Sequence, residues 1–305
     1  MAKKEAKEFK RTLARNSLYF FSGLFNALPY SVVRALTRFF IEIGFRCTKH
    51  QRKIAKESLQ IAFGQEKNEG EINKIIRECF ENFGQGMIDL IYFMGHPKMI
   101  EEHVFFEGQE HLDQALKEGR GVIAVSAHFG NFPLMLLRFA RSGYKTNAII
   151  RQTRDLEVEE YFLNQRRKMG LNTIYSHPRQ ECVESSIKAL RNNEIVFVLL
   201  DQNFGSGRGV FVDFFGQKAA TATGPVIFAM RTKSVILPIF VVRQKDSRHK
   251  VMIDPPFILE DRADEKEMVQ VNITRITQII EQYIRRYPEQ WGWMHRRWKT
   301  RPQDD

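Results

Sequence analysis

Apolar positions recur along this chain in two rhythms, and the change from one to the other organises it. Between residues 46 and 93 they return at threes and fours. Ile54, Leu59, Ile61 and Phe63 come first; after a polar turn over residues 64–70 follow Ile72, Ile75, Ile76, Phe80, Phe83, Met87, Leu90 and Ile91. That spacing predicts helices, each with one apolar stripe packed on something else. Past residue 121, short runs of β-branched and small apolar residues alternate with helical patterns, the mark of a parallel sheet with crossover helices. Strands are predicted at 122–127, 147–151, 172–175, 195–200, 235–243 and 250–254, the last two as a possible hairpin. A short edge element is predicted at 105–111. Helices are predicted at 112–119, 156–169, 180–191, 225–232 and 265–287. Gly119 and Gly170 stop two of them, and Thr223 or Gly224 with Pro225 opens another.

The two ends of the chain read differently. Lys3, Lys4, Lys7, Lys10, Arg11 and Arg15 face only Glu5 and Glu8, and an apolar run over 18–28 follows. No small-residue cleavage site closes this stretch, and Pro29, Arg34 and Arg38 interrupt it before the roughly 20 residues a membrane span needs. It reads as an interfacial helix pair, with a core helical hairpin as the alternative. At the other end, residues 287–301 set Trp291, Trp293 and Trp298 among cations, as a membrane interface or a buried clasp would. The fold class expected is therefore α/β: a mixed, largely parallel central sheet flanked by helices, with an N-terminal helical membrane-associating segment. The segment is placed at residues 1–45 and the α/β domain at 46–305, with no internal repeat, linker or further boundary.

Composition narrows the partners. The 305 residues carry 47 Lys+Arg against 36 Asp+Glu, a net charge of +11, so an anionic partner is expected: nucleic acid, an acidic protein or an anionic membrane. Twenty-five Phe favour lipid over nucleic acid, and no helix-turn-helix, zinc or aromatic-basic motif supports the latter. Cys47, Cys79 and Cys182 are too scattered for a disulfide framework or a zinc site.

Candidate chemistry gathers where strands end. The run Val122-Ile-Ala-Val-Ser-Ala-His128-Phe-Gly-Asn131-Phe-Pro133 reads as a buried strand that delivers His128, Gly130 and Asn131 at its carboxyl end, where open α/β sheets bind ligands. A neutral imidazole there can take a proton from an alcohol, and donors near Gly130 and Asn131 can hold an oxyanion. Asp201 and Gln202 end another predicted strand on the same rim. The loop over 205–216 is not a phosphate loop, since the Lys-Ser/Thr ending is missing. Gly209, Phe211, Phe214 and Phe215 could instead wall an acyl channel, or simply form a strand with a bulge. Thr221 opens the turn before the next helix and joins this substrate-binding set.

Several stretches together carry a family resemblance. These are Arg52-Lys-Ile-Ala-Lys-Glu-Ser-Leu-Gln-Ile-Ala-Phe63, His128-Phe-Gly-Asn131, Arg151, Asp201-Gln202, Gly209-Val-Phe-Val-Asp-Phe-Phe-Gly216, Thr221-Ala-Thr-Gly224 and Trp291-Gly-Trp-Met-His-Arg-Arg-Trp-Lys299. In order and spacing the chain resembles the bacterial lipid A biosynthesis acyltransferases, late acyltransferases of the lysophospholipid acyltransferase superfamily. The resemblance implies an enzyme on the cytoplasmic side of the inner membrane that moves a fatty acyl chain from acyl carrier protein to a hydroxyl of an anionic lipid A precursor. It implies no metal and no cofactor. His128 is the general base it implies, and Arg151 would meet a phosphate of the acceptor or of the carrier's phosphopantetheine. Family members carry an acidic residue five positions after this histidine, where this chain has Pro133. Asp201 is expected to stand in for it, with Asp213 as second choice. A glycolipid or lysophospholipid acceptor, or a lipid-binding pseudoenzyme lacking the acid, are the alternatives.

Overall fold

The structure, a computed structural model, describes residues 2–205, 207 and 209–302. The side chains of Lys3, Lys4, Lys7 and Lys10, part of the basic opening, lie outside the described residues, as do Ser206 and Arg208 of the glycine-rich loop.

Both rhythms become the predicted elements. Four helices come first: α1 (Ala2–Ala27), α2 (Tyr30–Cys47), α3 (Lys49–Phe63) and α4 (Glu69–Gly95). The polar turn between α3 and α4 ends in a reciprocal cap: the Asn68 side chain accepts from the Glu71 N–H at 3.0 Å, and the Glu71 carboxylate accepts from the Asn68 N–H at 2.8 Å. Two otherwise orphaned donors are thereby satisfied, which fixes where α4 starts. A short helix α5 (Lys98–His103) then leads into β1 (Val104–Glu107) and α6 (Gln109–Lys117).

The alternating part runs β2 (Val122–Ser126), α7 (Phe132–Arg141), β3 (Thr146–Ile150), α8 (Leu156–Lys168), β4 (Leu171–Tyr175), α9 (Arg179–Arg191) and β5 (Ile195–Leu199). After it come β6 (Val210–Phe214), β7 (Gln217–Thr221), α10 (Gly224–Thr232), β8 (Val235–Arg243), β9 (His249–Ile253) and α11 (Glu265–Arg286). Seven strands form one sheet in the order β1-β9-β8-β2-β5-β3-β4. Every neighbouring pair in it is parallel except β8 and β9, the expected hairpin.

The sheet's central crevice follows from this order. From β2 the chain leaves through α7 toward β3 and β4, and from the adjacent β5 it leaves the other way, through α10 to β8. Two neighbouring strands whose connections diverge leave a gap above their carboxyl ends, the place where such sheets hold ligands. One face of the sheet is covered by α3, α9, α10 and α11, the other by α7 and the second half of α4.

One local expectation needs correcting, and one pair of alternatives is decided. The stretch over 210–221 forms a separate antiparallel hairpin, β6 against β7, turned by Phe215 at φ +53° and Gly216 at φ +69°. A two-residue turn with both φ positive is a regular hairpin device, but phenylalanine is a rare occupant of it and hid the turn in the sequence. The tryptophans, for their part, form a buried clasp: Trp291, Trp293 and Trp298 pack on Phe63, Phe214 and Phe215 in the first core.

The amino-terminal helices have two apolar sides. Phe25 and Val33 are buried with Tyr92 and Phe93 of α4 in the second core. Leu13, Phe20 and Leu24 of α1 and Val32, Leu36, Phe39 and Ile43 of α2 are exposed. Among the described residues no helix is long and apolar enough to cross a membrane.

Candidate active site

The β-ladder itself brings the two polar strand ends together. β2 and β5 pair from Val122↔Ile195 to Ser126↔Leu199, and the Leu200 N–H extends the ladder to the Ser126 carbonyl at 3.0 Å. Two residues past β2 and two past β5 lie His128 and Asp201. Their side chains meet at 2.9 Å, His128 Nδ1 to Asp201 Oδ1. An ionised carboxylate only accepts, so Nδ1 carries the proton and Nε2 is left as a base.

Asp201 is sealed in, and its second oxygen Oδ2 accepts from the Trp291 indole N–H at 2.7 Å. Burial opposes its charge, but the His128 charge and hydrogen bond and the Trp291 hydrogen bond outweigh it and pull the carboxyl down to about 2. For His128 burial disfavours the cation, yet the Asp201 charge and hydrogen bond win, and its pKa lies above the ordinary histidine value. The pair is therefore an ionised acid holding a strengthened base. Asp213, the second choice, is exposed on β6 and pairs with Lys218 at 3.1 Å.

Trp291 owes its position to several contacts. It bridges antiparallel to Phe129, and its carbonyl accepts from the Cys79 thiol at 3.0 Å. Below it Arg297 is buried; its guanidinium donates to the Gln202 carbonyl at 3.2 Å, the Ala220 carbonyl at 2.5 Å and the Thr221 hydroxyl at 2.5 Å. Burial brings the Arg297 pKa down to about 10, against the pull of Asp201. The turn that carries Asp201 is thus fixed from the carboxyl terminus. The carboxyl-terminal clasp was visible as a tryptophan cluster, but nothing in its sequence marked Trp291 as the carboxylate's partner.

His128 opens on an apolar cavity of about 570 Å³. Its wall includes Leu90 and Met94 of α4, Phe132, Leu136 and Leu137 of α7, and Phe162 of α8, with Ala148, Leu171 and Phe197 on the sheet. The mouth is polar, with Arg151, Arg166, Ser176, His177, Gln202 and Asn203. Gln202 Nε2 stands 3.0 Å from His128 Nε2, and the His295 ring centroid lies 5.4 Å from that of His128. Pro133, where the acid was missing, also lines this cavity.

Of the expected site residues, the structure sets His128, Gln202 and Arg151 on the lining of this cavity with Asp201 buried behind His128, and places the others elsewhere. Gly130 sits at φ +54° with its N–H given to the Gln290 carbonyl at 2.7 Å; a Cβ there would come within 2.1 Å of the Val241 carbonyl. Its glycine serves close packing on β8. Asn131 caps α7 through the Leu134 N–H at 3.4 Å and donates to the Gly86 carbonyl at 2.9 Å. The Gly130 N–H and one hydrogen of the Asn131 amide are thus engaged within the fold. Gly209 lies against the Thr221 carbonyl, the Phe211 carbonyl accepts from Gln270 on α11, Phe214 and Phe215 are in the tryptophan clasp, and the Thr221 hydroxyl is taken by Arg297. The channel wall expected from this hairpin comes instead from α4, α7, α8 and the sheet. Helix α7 is apolar nearly all round, so its cavity-facing leucines carry the same sequence signal as its core-facing ones.

Residues 5–300 match the family described as bacterial lipid A biosynthesis acyltransferase. A lipid A biosynthesis lauroyltransferase of Escherichia coli is 26% identical over 90% of this chain and 88% of its own length. A lipid A biosynthesis acyltransferase of Haemophilus influenzae is 26% identical over 92% and 86%, and a myristoyltransferase of E. coli 25% identical over 84% and 77%. Among solved structures, the 1-acyl-sn-glycerophosphate acyltransferase of Thermotoga maritima aligns over 78% of this chain and 98% of its own at 13% identity, with a TM-score of 0.37, too distant to bear on the site.

Proposed function

The chain belongs to the bacterial lipid A biosynthesis acyltransferase family, and from that premise we propose that it transfers a fatty acyl chain from acyl carrier protein to a hydroxyl of a lipid A precursor, with His128 as general base. The observation that carries the chemistry is a base with its Nε2 free of a proton at the mouth of an apolar cavity.

The acyl chain lies in that cavity with its thioester carbonyl at the mouth. His128 Nε2 takes the proton of the acceptor hydroxyl as the oxygen attacks the carbonyl carbon, and the Asp201 carboxylate stabilises the imidazolium that forms. The tetrahedral intermediate then collapses, the carbon–sulfur bond breaks, and the proton on Nε2 goes to the leaving thiolate. The new ester and the free carrier thiol balance the step without metal or cofactor.

Gln202 occupies the place the acceptor hydroxyl must take, since its amide reaches Nε2 at 3.0 Å. It is exposed and gives way to substrate, and it is then a donor within reach of the developing oxyanion. Arg151, also exposed at the mouth, suits a phosphate of the acceptor or of the carrier's phosphopantetheine arm.

The exposed apolar stripes of α1 and α2 support a place on the membrane. Val32, Leu36, Phe39 and Ile43 recur on one side of α2, and Leu13, Phe20 and Leu24 on one side of α1. Such faces suit helices lying in a bilayer's interface, here the cytoplasmic side of the inner membrane. Purified chain given acyl carrier thioester and a lipid A precursor is expected to yield acylated lipid and free carrier thiol one for one, and His128→Ala to yield neither. Free thiol without acylated lipid, or no thiol at all from the intact chain, would overturn the reaction.

A further inference from the structure

A second cavity, of about 320 Å³, lies between α2, α4 and the end of β8, and the chemistry above makes no use of it. Ser31, Arg34, Arg38, Gln85, Asp89 and Arg243 line it. Three of these side chains are cations, and Asp89 is the single acid. That acid is already engaged: its two oxygens accept from the Arg243 guanidinium at 2.6 Å and the Tyr30 hydroxyl at 2.9 Å. Arg34 reaches only the neutral Ser247 hydroxyl, at 2.9 Å, and Arg38 has no hydrogen-bond or ion partner among the described residues. The cavity thus holds two guanidinium charges that the protein does not neutralise.

Its walls are fixed. The Arg243 N–H and carbonyl are both held by the Gln290 side chain, at 2.7 and 3.1 Å, and the Gln290 carbonyl in turn accepts from the Gly130 N–H in the His128 loop. Helix α4 is a shared wall: Gln85 and Asp89 face this cavity, while Leu90 and Met94 face the acyl one. On α2, Arg34 and Arg38 stand one turn apart, beside the exposed line of Val32, Leu36, Phe39 and Ile43. A concave basic site bordered by an exposed apolar stripe matches the junction of head group and acyl chains in a lipid.

We propose that Arg34 and Arg38, with the Asp89-paired Arg243 as the floor between them, form a binding site for the phosphate group of a lipid head group, one helix away from the acyl cavity. Planar guanidinium groups bind phosphate oxygens through paired hydrogen bonds, and a pocket lined from three elements selects a compact anion over the broad face of an acidic protein. The site rests on the lipid-acyltransferase reading, and it deepens that reading by giving the head group a second point of attachment across α4 from His128.

Binding is measured with the full chain and no acyl donor, so failure of transfer cannot be mistaken for failure of this site. The probes are phosphatidylcholine vesicles carrying phosphatidic acid, or a carboxylate lipid at matched surface potential. Arg34→Gln with Arg38→Gln, both exposed positions, is expected to weaken phosphatidic-acid vesicle binding about tenfold or more, as the loss of charge-assisted hydrogen bonds implies. Binding to the carboxylate vesicles should change much less, and the melting temperature should stay. Equal loss on both vesicles would mean only a general basic surface, and unchanged binding would mean no site; either overturns the proposal. Michaelis constants then identify the source. A rise confined to acceptors that bear a phosphate assigns the group to the acceptor, and no rise, with the vesicle loss present, assigns it to a bilayer phospholipid. A rise for the acyl carrier thioester with vesicle binding intact would make this a carrier-protein surface and overturn the lipid site.

Discussion

Asp201, two residues past β5, and Asp89, on α4 against Arg243 at the end of β8, are both buried carboxylates, and each has a histidine and an arginine around it. What differs is which neighbour holds the carboxylate. Asp201 gives one oxygen to His128 at 2.9 Å and the other to Trp291, so the imidazole gains basicity and its outer nitrogen looks into a cavity. Asp89 gives its oxygens to Arg243 and Tyr30, while His249 stays 3.7 Å away, beyond hydrogen-bond reach. His249 is sealed, both ring nitrogens lack a partner, and burial holds its pKa below the ordinary value. The same residue types give a carboxylate-held imidazole with a raised pKa in one place and a sealed ring with a lowered pKa in the other. Residue identity does not decide between them; a carboxylate within hydrogen-bond reach and one nitrogen facing a cavity do, and the proposed function makes that arrangement the general base.

The sharpest way to break this comparison is to remove each histidine in turn. His128→Leu is expected to lower the rate of acyl transfer by about 10²–10⁴, the usual contribution of a general base. His249→Leu should leave rate and pH profile alone, because it removes two unpaired buried nitrogens that contribute no chemistry, and stability should move by no more than about 1–2 kcal/mol. Turnover assays and thermal melts of the two variants check this. A comparable fall in rate with His249→Leu would end the distinction.

Next in size is the apolar cavity on which the first site opens. Leu171 begins β4, far along the strands from the mouth, and lines the apolar wall. Leu171→Trp should fill that far end and shift preference toward shorter acyl chains, by about tenfold per methylene that no longer fits. Competition between carrier thioesters of different chain length measures it, and an unchanged ranking would place the chain elsewhere.

A smaller effect is expected on the far side of Asp201. Trp291→Phe keeps most of the ring packing but leaves the carboxylate's second oxygen without a donor, a penalty of about 1–3 kcal/mol. Turnover should fall several-fold and the melting temperature should drop. A variant as stable and fast as the intact chain would mean that the indole N–H contributes nothing.

Much of this arrangement was legible in the chain, and what escaped has a physical reason. Alternating strands and helices announced the sheet, and polar residues at strand ends singled out His128 and Asp201, because parallel strands deliver their carboxyl ends to one rim. Pairing of β2 with β5, seventy residues on, made those two ends adjacent, and no local pattern encodes that. Phe214 and Phe215 read equally as channel wall or as a strand with a bulge, and only the distant tryptophans show that they belong to the core. Gly130 and Asn131 have the composition of an oxyanion site, yet Gln290 and Gly86, from other parts of the chain, take their hydrogen bonds.

The rate of acyl transfer against pH, compared between the intact chain and Asp201→Asn, tests the His128–Asp201 pair most directly. Catalysis needs a neutral His128, so the rate falls as pH drops through its pKa; with that pKa raised by Asp201, the intact chain's acid limb should lie above the ordinary histidine value of about 6.5. The asparagine keeps size and shape but neither charge nor a fixed tautomer. Its rate should fall by roughly 10²-fold or more, and the acid limb of what remains should move to lower pH. Wild-type turnover with an unmoved limb would contradict the pair and leave His128 to act without Asp201.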